Sequence, residues 1–169
     1  MAGPEKQSEF VHSIVHRVRR KGKSRERAKP FRADCRVYVA SRASVPARPE
    51  MWKKFRAEGM LITSTWIDEA GEGETADFSE LWQRIGNEIS ASDGLILYAK
   101  AEDLPLKGAL IEVGIAIGLR KPVAVVLDGF EPEGRTARPI GSWIAHPLCE
   151  RCKSVYLAYE SIRLRAHLA

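Results

Sequence analysis

The sequence predicts a doubly wound α/β fold, a five-stranded parallel sheet of order 2-1-3-4-5 with helices on both faces. Two observations carry this. From Cys35 onward, short runs rich in β-branched and aromatic residues alternate with helix-length segments. Such alternation implies right-handed crossovers and a sheet covered on both sides. Between residues 93 and 127 the chain reads strand, loop, helix, strand, and the helix is almost free of charge. This is the flavodoxin-like, Rossmann-like arrangement, which binds ligands at the carboxyl ends of its strands.

The elements follow in order. Arg36–Ser41, with its Val-Tyr-Val-Ala core, reads as the first strand. Pro49 suits the first turn of a helix over Glu50–Glu58, and Gly59 closes it. Met60–Ile67 reads as the second strand, and Glu69–Thr75 as a Gly/Glu loop. Asp77 is placed to cap a helix over Phe78–Ala91. Asp93–Ala99 and Pro122–Leu127 are strands three and four, flanking the uncharged helix. After a Pro/Gly-rich loop, a helical turn is expected around Ser142–His146, a fifth strand at Val155–Leu157 and a last helix over Glu160–Leu168.

The uncharged helix contains one exception. From Ala109 to Leu119 only Glu112 carries charge. A helix apolar on all sides is buried, and a buried carboxylate is costly unless something stabilises it. Glu112 is expected in the first turn, where free N–H groups and the helix dipole favour negative charge. The plainer reading is a capping Glu, although such residues face water.

Length and composition suit one domain with an appendage: 169 residues, 44% hydrophobic and 29% charged. The formal charge of +5 is uneven. Residues 1–32 hold ten Lys/Arg against three Glu, a net of +7, so the remainder carries −2. We therefore expect a basic arm over 1–32 and a domain over 33–169. Within the arm, Phe10, Val11, Ile14, Val15 and Val18 recur at helical spacing, and a basic run follows to Lys29. That run offers at most weak, sequence-independent contact with nucleic acid; a solubilising tail is the alternative. No apolar stretch is long enough to span a membrane. Three cysteines and no recognisable signal peptide point to a reducing, cytoplasmic setting.

Several motif chemistries are absent or weak. Strand one leads into Ala40-Ser41-Arg42-Ala43-Ser44 rather than a glycine triplet, so no dinucleotide fingerprint is present. Gly22-Lys23-Ser24 resembles the end of a phosphate loop, but Arg17 occupies the position that needs glycine. His146, Cys149 and Cys152 offer three soft ligands, yet zinc requires a fourth; a loop with two reduced thiols is the alternative. No cofactor or metal is expected. Ser41 and Arg42 could hold a phosphate or sugar oxygen, or form an ordinary polar loop. Trp66 could stack on a planar base or belong to the core. Asp103 could lie close enough to Glu112 for paired-carboxylate chemistry at a sugar carbon, where retaining mechanisms use a separation of about 5 Å.

Four short blocks sharpen this picture. They are Val37-Tyr38-Val39-Ala40-Ser41, Ala91-Ser92-Asp93-Gly94-Leu95-Ile96, Lys107-Gly108-Ala109-Leu110-Ile111-Glu112 with Lys121-Pro122-Val123 behind it, and Pro139-Ile140-Gly141-Ser142-Trp143. Together they resemble the nucleoside 2-deoxyribosyltransferase-like superfamily, which includes the 2′-deoxynucleoside 5′-phosphate N-hydrolases, and within it a divergent branch of bacterial and phage proteins. The resemblance implies that Glu112 attacks C1′ of a deoxyribose, with Tyr38 hydrogen-bonded beside it and Asp103 near the sugar or base. It places Gly108 at the substrate and Ser142 near a neighbouring subunit's pocket, so a homodimer or larger homo-oligomer is implied. One position departs. Where the family carries a further catalytic Asp, eight residues before Asp93, this chain has Ile85, with Asn87 and Glu88 nearby. Two expectations therefore stand together: an N-deoxyribosyltransferase or deoxynucleotide N-glycosidase, and a nucleotide-binding module without turnover.

Overall fold

A computed structural model describes residues 31–69 and 75–166. The expected amphipathic segment and basic run of the arm, and the end of the last helix, lie outside these residues. Contacts group Phe31–Ala169 as one unit. This unit is the α/β domain. At its start the Phe31 ring meets Phe55, Tyr156 and Tyr159 with centroids 5.2–5.8 Å apart.

The sheet contains β1 (Arg36–Ala40), β2 (Leu61–Ile62), β3 (Gly94–Lys100), β4 (Val123–Asp128) and β5 (Cys149–Arg151). All pairings are parallel and the order is β2-β1-β3-β4-β5, as the sequence predicted. Four helices cover it: α1 (Ala47–Ala57), α2 (Phe78–Ala91), α3 (Lys107–Gly118) and α4 (Val155–Ala166). Alternation along β1 separates two cores. Val37 and Val39 join Trp52 of α1 and Tyr159 and Ile162 of α4 on one face. Tyr38 and Ala40 join Ile85 and Ile89 of α2 and Val113 and Ala116 of α3 on the other. The predicted cap of α2 is present, with Asp77 accepting from Ser79 N at 2.7 Å. Gly94 opens β3 beneath α4, where a Cβ would come 2.5 Å from Ile162 Cγ2 and 2.8 Å from the Pro122 carbonyl oxygen. No larger residue fits there without moving backbone.

Two strand assignments are corrected. Met60–Ile67 was expected as one strand, but only Leu61–Ile62 pairs in that way. Beyond it Ser64 replaces the ladder with its side chain: its Oγ accepts from Val39 N at 2.7 Å and donates to Val39 O at 3.2 Å. The chain then turns through a 3-10 segment, Trp66–Asp68. The fifth strand is Cys149–Arg151, not Val155–Leu157, which begins α4. The buried residues Val155, Ala158, Tyr159 and Ile162 recur at i, i+3, i+4 and i+7, a helical face that outweighs the β propensity of Val-Tyr-Leu.

This second correction bears on the cysteines. Cys149 lies in β5 and packs toward the α2/α3 core, whereas Cys152 packs toward the α1/α4 core. Burial raises the pKa of both thiols, opposite to the direction that activates a thiolate. His146 is also engaged, its Nδ1 accepting from Leu148 N at 3.1 Å. Among the described residues no group of three or more His, Cys, Asp or Glu could hold a metal ion.

Candidate active site

The strand order reverses between β1 and β3, and the loops leaving their carboxyl ends frame the crevice where such folds bind ligands. The β1–α1 loop supplies Ser41–Ser44, and the β3–α3 loop supplies Ala101–Leu106. Helix α3 then runs back over the sheet and turns Ala109, Glu112, Val113 and Ala116 inward.

Glu112 sits in the second turn of α3, not the first, because the helix begins at Lys107 with Ala109 N already bonded to Leu106 O. It therefore caps nothing, and the helix-terminal N–H groups do not offset its charge. The side chain is 9% exposed. Its Oε1 accepts a hydrogen bond from the Tyr38 hydroxyl at 3.1 Å, and Tyr38 is fully buried. Burial pushes the Glu112 carboxyl from its ordinary 4.5 up to about 7; the Tyr38 bond works against that rise, and the Glu88 charge adds to it. Burial, with Glu112 alongside, likewise holds the Tyr38 phenol far above its ordinary value. Tyr38 is thus a permanent donor, and Glu112 titrates near neutrality.

Two openings reach Glu112. The first, about 310 Å³, is walled by Ser41, Pro49, Trp66, Phe78, Leu81 and Ile85. The second, about 440 Å³, runs between the two loops, past Arg42, Ser44, Lys107 and Gly108. One is mainly apolar and aromatic and the other carries two cationic side chains, with the carboxylate lining both.

The remaining predicted residues divide. Ser41 lines both openings but is tied down, donating to Tyr98 O at 3.2 Å and accepting from Trp52 Nε1 at 3.0 Å. Arg42 spans the loops, its Nη1 donating to Glu102 O at 3.1 Å and its Nε to Ser44 Oγ at 3.2 Å. Trp66 packs partly buried against both cores and borders the apolar opening, and its Nε1 donates to Val39 O at 2.8 Å. Gly108 lies in the cationic cleft. Ser142 begins a 3-10 turn, Ser142–Ala145, and lines neither opening.

Asp103 lines neither opening as well. It is fully buried and meets Arg48 through two hydrogen bonds of 2.9 Å, while Oδ2 also accepts from Lys100 N at 2.8 Å. Arg48 is 4% exposed and stands 5.3 Å from the Tyr98 ring centroid. The pair fastens the β3–α3 loop to α1, so the paired-carboxylate geometry imagined for Asp103 and Glu112 gives way to a carboxylate–guanidinium clamp.

Sequence reasoning missed three contributors. Arg48 carries no local signal, since its partner is 55 positions away. Phe78, 72% exposed, forms part of the apolar opening; an aromatic at the first position of a helix was a readable anomaly. Glu88 accepts from Thr65 N at 3.2 Å and from Thr65 Oγ1 at 2.5 Å, fixing the turn that carries Trp66. Ile85 is an apolar wall of the opening.

A larger cavity of about 880 Å³ lies on the opposite face, among Met51, Phe55, Val126 and Tyr156. Its acidic side chains are already engaged, Asp128 by Tyr98 and Lys100, and Glu131 by Arg151.

Comparison with solved structures finds a similar fold in a CMP N-glycosidase of Clostridium botulinum. It is 14% identical, with a TM-score of 0.44, over 77% of this chain and 98% of that one. No protein-family profile matches the sequence, and no curated protein does.

Proposed function

We propose that the domain cleaves or transfers at the N-glycosidic bond of a 2′-deoxynucleoside or its 5′-monophosphate, with Glu112 as nucleophile. The observation that carries this is a nine-tenths-buried carboxylate, held by one phenol and open to an aromatic-walled cavity. Among the described residues no cation pairs with it, so its charge is available to a developing oxocarbenium centre. The ionised Glu112 attacks C1′; the C1′–N bond breaks and the base leaves with a proton taken from solvent. The glycosyl ester is then opened by water or by a second base, which returns the carboxylate. Tyr38 orients the nucleophile and favours its ionised form. Trp66 and Phe78 offer surfaces for the base, while Arg42, Ser44 and Lys107 face the side where a 5′-phosphate would lie. Asp103 holds the loop in this scheme and takes no part in proton transfer.

A chromatographic screen of wild type and Glu112→Gln against deoxynucleosides and their monophosphates, with and without acceptor base, tests the reading. Free base from wild type alone is the expected result. Equal release by Glu112→Gln would end it.

Ile85 supports a second reading, a module that binds nucleotide without turning it over. It leaves an apolar wall where an acid would assist departure, and such assistance is typically worth 10²–10⁴-fold. That reading expects a nucleotide to raise the melting temperature and to be recovered intact.

A further inference from the structure

We propose that Glu69 is the base-recognising residue of the apolar opening, and that it selects bases carrying an exocyclic amine over their oxo counterparts. The inference rests on the proposed function and names the part of the substrate which that function leaves open. Glu69 follows the 3-10 segment Trp66–Asp68, and with Thr75 it lines the same opening of about 310 Å³ as Trp66, Ile85 and Glu112. The Glu69 side chain is 15% exposed. Arg84, one residue before Ile85 on α2, does not line the opening but fastens both groups. Its Nη2 donates to Glu69 Oε1 and, at 3.2 Å, to Thr75 Oγ1.

The placing of hydrogens decides what this opening can recognise. Thr75 has one hydroxyl hydrogen, and it goes to Glu69 Oε1 at 3.3 Å. The Ser41 hydroxyl gives its hydrogen to Tyr98 O at 3.2 Å, and the Trp66 indole gives its own to Val39 O at 2.8 Å. Glu69, and Glu112 in its reactive ionised form, have none to give. Among the described residues, every polar side chain lining the opening is therefore an acceptor or a donor already committed within the chain. An amine brought there meets a carboxylate that a guanidinium holds in place, and a carboxylate accepts more than one donor. A carbonyl oxygen in the same position meets lone pairs and gives up its water without replacement. The Trp66, Phe78 and Ile85 surfaces take either ring, so the edge of the base and not its face carries the choice. Adenine and cytosine present such an amine, where hypoxanthine and uracil carry oxygen.

Thermal shift and base release with four deoxynucleotides, bearing adenine, hypoxanthine, cytosine or uracil, test the proposal on the full chain. For wild type the amine member of each pair is expected to bind about 10-fold or more tightly, the weight of one hydrogen bond to a charged group. The same advantage is expected in kcat/KM. Glu69→Gln offers an amide N–H as well as an oxygen; with its fold verified by circular dichroism, the advantage should shrink to about 3-fold or less. Wild type that binds none of the four, treats the members of a pair alike or prefers the oxo member overturns the proposal without recourse to a variant. So does a preference that survives Glu69→Gln. Equal release of all four bases ends this inference and leaves N-glycosidic cleavage standing, whereas an amine preference in binding without any release does the reverse.

Discussion

Among the described residues two carboxylates are buried, Asp103 and Glu112, and their surroundings differ in every respect that matters. Asp103 has no exposure, two hydrogen bonds to a buried guanidinium and a third from backbone, and it lines neither of the two openings at Glu112. Glu112 has, among the described residues, a single phenol and no cation, and two openings converge on it. The first arrangement is complete in the folded chain, and removing either partner strands a charge. The second offers one hydrogen bond among the described residues, and under the proposed function the substrate supplies the rest. Burial alone therefore does not separate structural from functional charge; what separates them is whether the compensation is internal.

The largest test of this contrast is Glu112→Gln, expected to lower base release at least about 10⁴-fold, on the order of 5 kcal/mol in the barrier. Arg48→Met reverses the pattern. Leaving Asp103 buried and unpaired should cost about 3–5 kcal/mol of stability in chemical denaturation, while each folded molecule keeps its activity. Loss of activity with unchanged stability would instead move Arg48 and Asp103 into the chemistry.

A third test uses pH. The folded-state value of Glu112, about 7, lies above its ordinary 4.5, so the folded protein holds this proton more tightly than the unfolded chain. The penalty for burying the charge is absent below about pH 4.5, grows through the interval, and is complete above about pH 7, on the order of 3 kcal/mol. Glu112→Gln carries no such penalty. Its stability relative to wild type should rise across that interval, and a pH-independent difference would refute the burial account. Activity that needs the ionised carboxylate should rise with pH through a midpoint near 7. The smallest effect belongs to Tyr38→Phe. Losing a bond that favours the ionised form should move the midpoint upward, by about 1 kcal/mol or less in free energy.

The sequence disclosed the part of this picture that rests on local pattern. The alternation of strand and helix, the Asp77 cap and the lone carboxylate of an uncharged helix could all be read from neighbours in the chain. Tyr38 came through a resemblance, not through periodicity, since only the parallel sheet brings residues 38 and 112 together. What could not be read was pairing over distance. Asp103 looked like a second catalytic acid because Arg48 is far away in sequence, and β2 looked long because its Ile, Thr and Trp content favours strand, while the bond by which the Ser64 side chain ends the ladder is to distant Val39. The fifth strand was misplaced because Val155–Leu157 was judged on three residues, while its helical period needs eight.

The most direct test of the central claim is intact-mass and peptide mapping of the protein, acid-quenched during incubation with the deoxynucleotide that the base-release screen identifies. The account predicts a deoxyribosyl adduct on the peptide containing Glu112, formed together with free base and absent from Glu112→Gln. Base release without any adduct, or an adduct on another residue, would contradict it.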